Sequence, residues 1–210
     1  MANVDLYCER VGTEIWAEPI NALTNIAFFI AAWSIWYLSR RSSMLSPSIW
    51  LLIATAIAIG TGSFVFHTVA TSWARWLDVI PILVFQLLFL WLYSRRIIAF
   101  SQPISGLLLA IFLGAALFSR QFPEILNGSL TYAPAILTVL ALGVYHATRT
   151  PIGRFDLLIA AGVFVASLFF RTVDHATCAA FPIGTHFMWH ILNGAVVFLT
   201  AHALVRRPVR

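Results

Sequence analysis

His186 and His190, in Thr185-His186-Phe187-Met188-Trp189-His190, stand four residues apart. On a helix that spacing puts both imidazoles on one face, where they can address one metal ion as the zincin motif does. Ser63 and His67 share the spacing, in Gly62-Ser63-Phe64-Val65-Phe66-His67. Asp78 follows in Trp76-Leu77-Asp78-Val79-Ile80-Pro81. Three imidazoles with an open fourth position are the ligand set of a catalytic zinc, whereas a closed structural zinc wants a fourth protein ligand, often Cys. Zinc held this way lowers the pKa of its water towards 7. Asp78 is then the candidate general base, or else it orients an imidazole through the second ring nitrogen. Ser63 is placed to hydrogen-bond a developing oxyanion. Each piece alone has a bland reading: an intramembrane Ser usually bonds back to its own helix, and a lone His near a helix end is commonly a polar anchor. The case rests on convergence, and so on the elements that carry these residues.

Hydrophobic residues make up 60% of the 210 residues and charged residues 10%, with a mean hydropathy of +0.88. Soluble domains carry about 25% charged residues; a chain this apolar has lipid as its solvent. All 13 basic residues are Arg, set singly or in pairs between apolar runs. That is membrane-flanking charge and not a groove tracking phosphates, which argues against nucleic acid as a partner. The absence of Lys excludes a retinal Schiff base.

Seven apolar runs, at 20–38, 47–70, 74–93, 103–118, 130–147, 155–170 and 185–205, predict an all-α bundle of seven transmembrane helices. The fourth and sixth runs are the shortest. Residues 1–19, with Asp5, Glu9, Glu14 and Glu18 against Arg10, read as an acidic cap and not as a signal peptide. Residues 20–205 form the membrane domain, and 206–210 a short basic tail. Counting Arg on alternate sides gives nine (Arg40, Arg41, Arg95, Arg96, Arg149, Arg154, Arg206, Arg207, Arg210) against four (Arg10, Arg75, Arg120, Arg171). The positive-inside rule then predicts an outer N-terminus and a cytoplasmic C-terminus. Ser63 and His67 fall in the last third of a span that ends outside; Asp78, His186 and His190 fall in the first third of spans that begin there. All five are predicted at one depth near the outer face. His146 and His202 fall near inner span ends, and His175 in an outer loop beside Asp174; none is given a role. Cys8 and Cys178 both lie outside, where a disulfide and two unpaired small residues are both open readings.

In these residues the chain resembles the alkaline ceramidase family, bacterial members included, within a wider group of seven-helix membrane hydrolases. The resemblance spans the chain: Ala17-Glu18-Pro19-Ile20-Asn21-Ala22-Leu23-Thr24-Asn25 looks like the family's first-helix signature, Ser63-x3-His67 its second-helix motif, Leu77-Asp78-Val79-Ile80-Pro81 its third-helix Asp motif, and His186-x3-His190 its last-helix motif. It implies zinc-dependent hydrolysis of a ceramide amide to a sphingoid base and a fatty acid. His67, His186 and His190 would be ligands, with Ser63 and Asp78 beside the metal, and a membrane lipid would be the substrate. It further implies a Cys8–Cys178 disulfide and a calcium site. For calcium, Glu9 and Glu18 match the pattern; the family's acid before the aromatic is Leu6 here, with Asp5 one residue earlier, and its Asn after the Glu gives way to Arg10-Val11. The expected location is a bacterial inner membrane with the site near the periplasmic face. Hydrolysis of another acyl lipid, ester or amide, stays open, as does a lipid receptor with a structural metal. A b-type haem protein is disfavoured, because two His on one helix face cannot supply axial ligands from opposite sides.

Overall fold

The computed structural model describes residues 4–205. The expected basic tail, with Arg206, Arg207 and Arg210, lies outside them. Among the described residues the regular elements are all helical, and seven spans are long and apolar enough to cross a membrane. The first is built from α1 (Pro19–Thr24) and α2 (Ile26–Arg41), interrupted at Asn25. The others are α3 (Pro47–Val69), α4 (Ser72–Tyr93) with a π-helical turn at Ser94–Ile98, α5 (Gln102–Ser119), α6 (Ala133–Arg149) preceded by a 3-10 turn at Ser129–Tyr132, α7 (Asp156–Thr177) and α8 (His186–Val205). Proline sits in the first turn of α1, α3, α5 and α6, where its missing N–H costs nothing and its fixed φ starts the helix.

The sixth span is longer than its apolar run predicts. Asp174 and His175 belong to the last helical turn of α7 and not to an outer loop. Polarity ended the run early; in the structure Asp174 is fully buried and paired, so the helix continues through it. His146 lies in the last turn of α6. It is buried and meets the Tyr93 hydroxyl at 2.9 Å. His202 faces Asp156 at 2.7 Å.

Packing is densest where α3 meets α4 and α7 meets α8, with α2 set between α3 and α8. The core is continuous through Phe28, Ile35, Leu52, Phe89, Tyr93, Leu157 and Leu204. The opposite faces are apolar as well: Trp33, Leu107, Leu137 and Phe169 are each about three-fifths exposed. Large exposed apolar surfaces on a folded chain face a non-aqueous partner; here the lipid hydrocarbon fills that role.

One close approach sets the geometry of the site. Pro81 lies inside α4 and cannot donate to the carbonyl four residues back, that of Leu77. This same Leu77 carbonyl lies against Gly62 of α3, where any Cβ would overlap it, with the Leu77 carbonyl carbon only 2.6 Å away. Glycine at 62 lets the two backbones touch. The touch brings Ser63 and His67 beside Asp78.

Candidate metal centre

His67 comes from the last turn of α3, and His186 and His190 from the first two turns of α8. All three are buried, and their ligand nitrogens lie within 4.8 Å of one another. Their rings pack edge and tilt, with centroids 4.7 to 5.3 Å apart.

The surroundings assign the tautomers. His67 Nδ1 donates to Glu18 Oε2 at 2.5 Å. His190 Nδ1 lies 3.0 Å from Thr24 Oγ1, and the Thr24 hydroxyl donates backwards to Ile20 O at 2.8 Å. Its oxygen therefore accepts from His190. Both rings are left with an unprotonated Nε2, and both Nε2 atoms are buried without a hydrogen-bond partner, as is Nδ1 of His186. Buried polar atoms without partners are rare and expensive. Three of them converging, two in rings whose other nitrogen is held by a carboxylate or a hydroxyl, is the arrangement that precedes metal binding. The residues fit a zinc ion.

Sequence spacing left two roles open for Asp78. The structure supplies His67 with a different orienting carboxylate, Glu18, so Asp78 is not the group that orients that ring. It lies near His67, within hydrogen-bonding reach of Ser63. It also lines a cavity of about 310 Å³ with Tyr7, Tyr132 and Arg171. Ser63 is buried. A narrower apolar slot of about 60 Å³ runs deeper between Phe28, Phe85, Phe112, Phe164 and Trp189. The two spaces share Ile82, Gln86 and Tyr132 as walls.

The N-terminal segment closes the outer end. Val4 N donates to Ala70 O at 2.8 Å, and Tyr7 stacks on His186 with centroids 3.5 Å apart. Burial pushes the Tyr7 phenol well above its usual range, so the ring stays neutral. Cys8 and Cys178 form a disulfide, with Cα atoms 5.2 Å apart, which ties the segment to the end of α7. Asp174 completes the clamp. Its Oδ1 accepts from Thr185 N at 2.6 Å and His186 N at 2.9 Å, and its Oδ2 from Cys8 N at 3.0 Å. A carboxylate capping the N-terminus of α8 satisfies donors the helix cannot and fixes where His186 starts. Gly184, at φ 64°, makes the turn that aims those amides. Sequence reading missed Asp174, Thr24 and Arg10; the one available signal was a charge in each of two apolar or capped contexts.

The acidic residues expected to bind calcium do something else. Glu9 accepts from Ile20 N at 2.7 Å and Asn21 N at 2.8 Å, one oxygen to each, and so caps α1. Burial raises its pKa, while those two amides pull it back. Glu18 binds His67, Asn21 Nδ2 at 3.2 Å and Arg10 Nε at 2.5 Å. Burial alone would raise the Glu18 pKa, but the His67 and Arg10 bonds overcome it and hold the carboxyl below its ordinary value. Asp5 is exposed. Among the described residues the three-histidine set is the one convergent metal-ligand group. Asp5, Glu9 and Glu18 do not form a second, because Asp5 is exposed while the oxygens of Glu9 are spent on main-chain amides and those of Glu18 on His67, Asn21 and a buried guanidinium. They do not fit calcium.

Comparison with curated proteins gives no match. The sequence model of the ceramidase family matches residues 2–206. That match covers nearly the whole chain and includes every residue of the three-histidine centre and its supports. The chain belongs to the ceramidase family.

Proposed function

We propose that this chain is a zinc-dependent intramembrane amidase that hydrolyses ceramide to a sphingoid base and a fatty acid. The observation that carries the reading is the set of three buried, partnerless imidazole nitrogens, with Asp78 close to His67 and lining a cavity whose wall, Tyr7, stacks on His186. His67, His186 and His190 would hold the zinc, which when bound acidifies a water in its open position to about neutral pH.

The chain's own residues account for the rest. Glu18 and Thr24 keep two of the ligand rings in the tautomer that offers Nε2. Asp78 accepts the proton of the attacking water and delivers it to the departing amine nitrogen, as a general base and then acid. The Ser63 hydroxyl donates to the oxygen of the amide carbonyl as negative charge gathers there. The polar cavity under Tyr7 and Arg171 takes the hydroxylated head of the lipid, and the aromatic slot takes the acyl chain. At about 60 Å³ the slot as it stands holds a few methylenes, so its Phe and Trp side chains turn aside as the chain enters. The positive-inside asymmetry of the Arg residues supports a site near the outer face of the membrane, the periplasmic face for a bacterial inner membrane.

Incubating purified protein with labelled ceramide and labelled phospholipid tests the substrate. Fatty acid should be released from ceramide and lost on zinc removal. Turnover of phospholipid alone would overturn the ceramidase reading. Bound metal with no turnover of either would point to a receptor.

A further inference from the structure

Arg10 has no part in the reaction just described, yet it is 6% exposed and sits at the back of the centre. Its guanidinium gathers oxygens from three separate segments. Nε donates to Glu18 Oε1 at 2.5 Å, Nη2 to His67 O at 3.0 Å, and Nη1 to Gly12 O at 3.2 Å and Glu14 O at 3.5 Å. One carboxylate and several main-chain carbonyls around a buried positive charge is the donor chemistry of a calcium cage. Here the charge is covalently attached. The placement also suits the helix: His67 O is in the last turn of α3, which ends at Ala70 in the left-handed region at φ 46°, and a cation there complements the helix dipole.

We infer that the Arg10 guanidinium is the structural cation of this cap, and that it positions the His67 ligand through Glu18 without any calcium. Two links carry it. Glu18 bridges Arg10 and His67 with its two oxygens, and both side chains are about 2% exposed or less. The same guanidinium binds the main-chain carbonyl of His67, so it grips the ligand residue at both ends. Asp5 and Glu9, which the family resemblance would enlist beside Glu18, are exposed and helix-capping respectively, so no acidic cluster remains to attract a second cation. Arg10 is a positioning residue.

The calcium arm of the test stands without the zinc reading; the metal-affinity arm rests on it. Full-length protein in detergent is passed through calcium-free buffer and titrated calorimetrically with calcium chloride to about 5 mM, above the ~10⁻⁴–10⁻³ M constants of extracellular calcium modules. No binding and no shift in unfolding temperature are expected; calcium binding by the native chain, or a rise of several degrees, overturns the inference. Zinc affinity is then measured by chelator competition. Arg10→Gln should lower it about 10–100-fold, the usual cost of removing a group that orients a ligand. Unchanged affinity overturns the positioning role. Arg10→Lys keeps the charge but not the fork, and should lie between the two. In Arg10→Gly, added guanidinium ion should restore zinc affinity, whereas a merely packing role predicts no response. These measurements need no ceramide turnover, so their failure is separable from failure of the amidase reading.

Discussion

Replacing Asp174 by Ala removes the acceptor of three main-chain N–H groups, those of Cys8, Thr185 and His186. The residue is fully buried, so water cannot take its place at no cost. A hydrogen bond to a charged group contributes about 1.5–3 kcal/mol, and an orphaned buried donor costs about 1–3 kcal/mol. Three bonds on one carboxylate are not additive, and the N-cap share alone runs about 0.5–2 kcal/mol. A loss of about 4–6 kcal/mol is expected. Asp174→Asn separates the parts. Its one carbonyl oxygen can still serve Thr185 and His186, but its amide group turns a donor on the Cys8 N–H, so about 1.5–3 kcal/mol should go. Denaturant unfolding in detergent, with bound metal measured on the same samples, should rank native above Asp174→Asn above Asp174→Ala. Metal should fall in the same order, because the cap sets where α8 and therefore His186 begin. An Asp174→Ala protein as stable as the native one, with full metal, would refute the reasoning.

His190→Ala should abolish metal binding and turnover while the protein still inserts; elemental analysis finding full zinc would remove His190 from the ligand set. Asp78→Asn should retain metal and lose about 10²–10⁴-fold in turnover, the range for a general base, as read by steady-state ceramide hydrolysis. Gly62→Ala should cost about 1–3 kcal/mol by overpacking and depress activity further, since the methyl forces α3 away from the Leu77 carbonyl and separates His67 from Asp78. Reducing the Cys8–Cys178 bridge should destabilise the cap by at most about 5 kcal/mol for a loop of this length, with separation 170, and proteolysis of the first twenty residues should report it.

Much was legible before any coordinates. Seven spans follow from hydropathy because every residue facing lipid must be apolar, whichever helix neighbours it. The three His and Asp78 stood out because charge and imidazole are costly within a membrane and rarely occur there without purpose. Span ends were less legible. The sixth run stopped at 170 because Arg171, Asp174 and His175 look like loop, while the helix continues to Thr177. Its continuation depends on Asp174 finding amides from residues 8, 185 and 186, partners too distant in sequence to be foreseen.

The acidic N-terminus marks the same boundary more sharply. Residue types alone made Glu9 and Glu18 eligible as calcium ligands, and nothing in spacing distinguishes a carboxylate that binds a cation from one that caps a helix or orients an imidazole. The tertiary structure distinguishes them by geometry, sending Glu9 to the amides of α1 and Glu18 to Arg10 and His67. The sequence by itself determined the solvent, the number of spans and the residues able to bind a metal, since these depend on composition and local spacing. Only the tertiary structure decided which groups hold those residues in place, because a carboxylate or guanidinium takes its role from partners that folding brings within 3 Å.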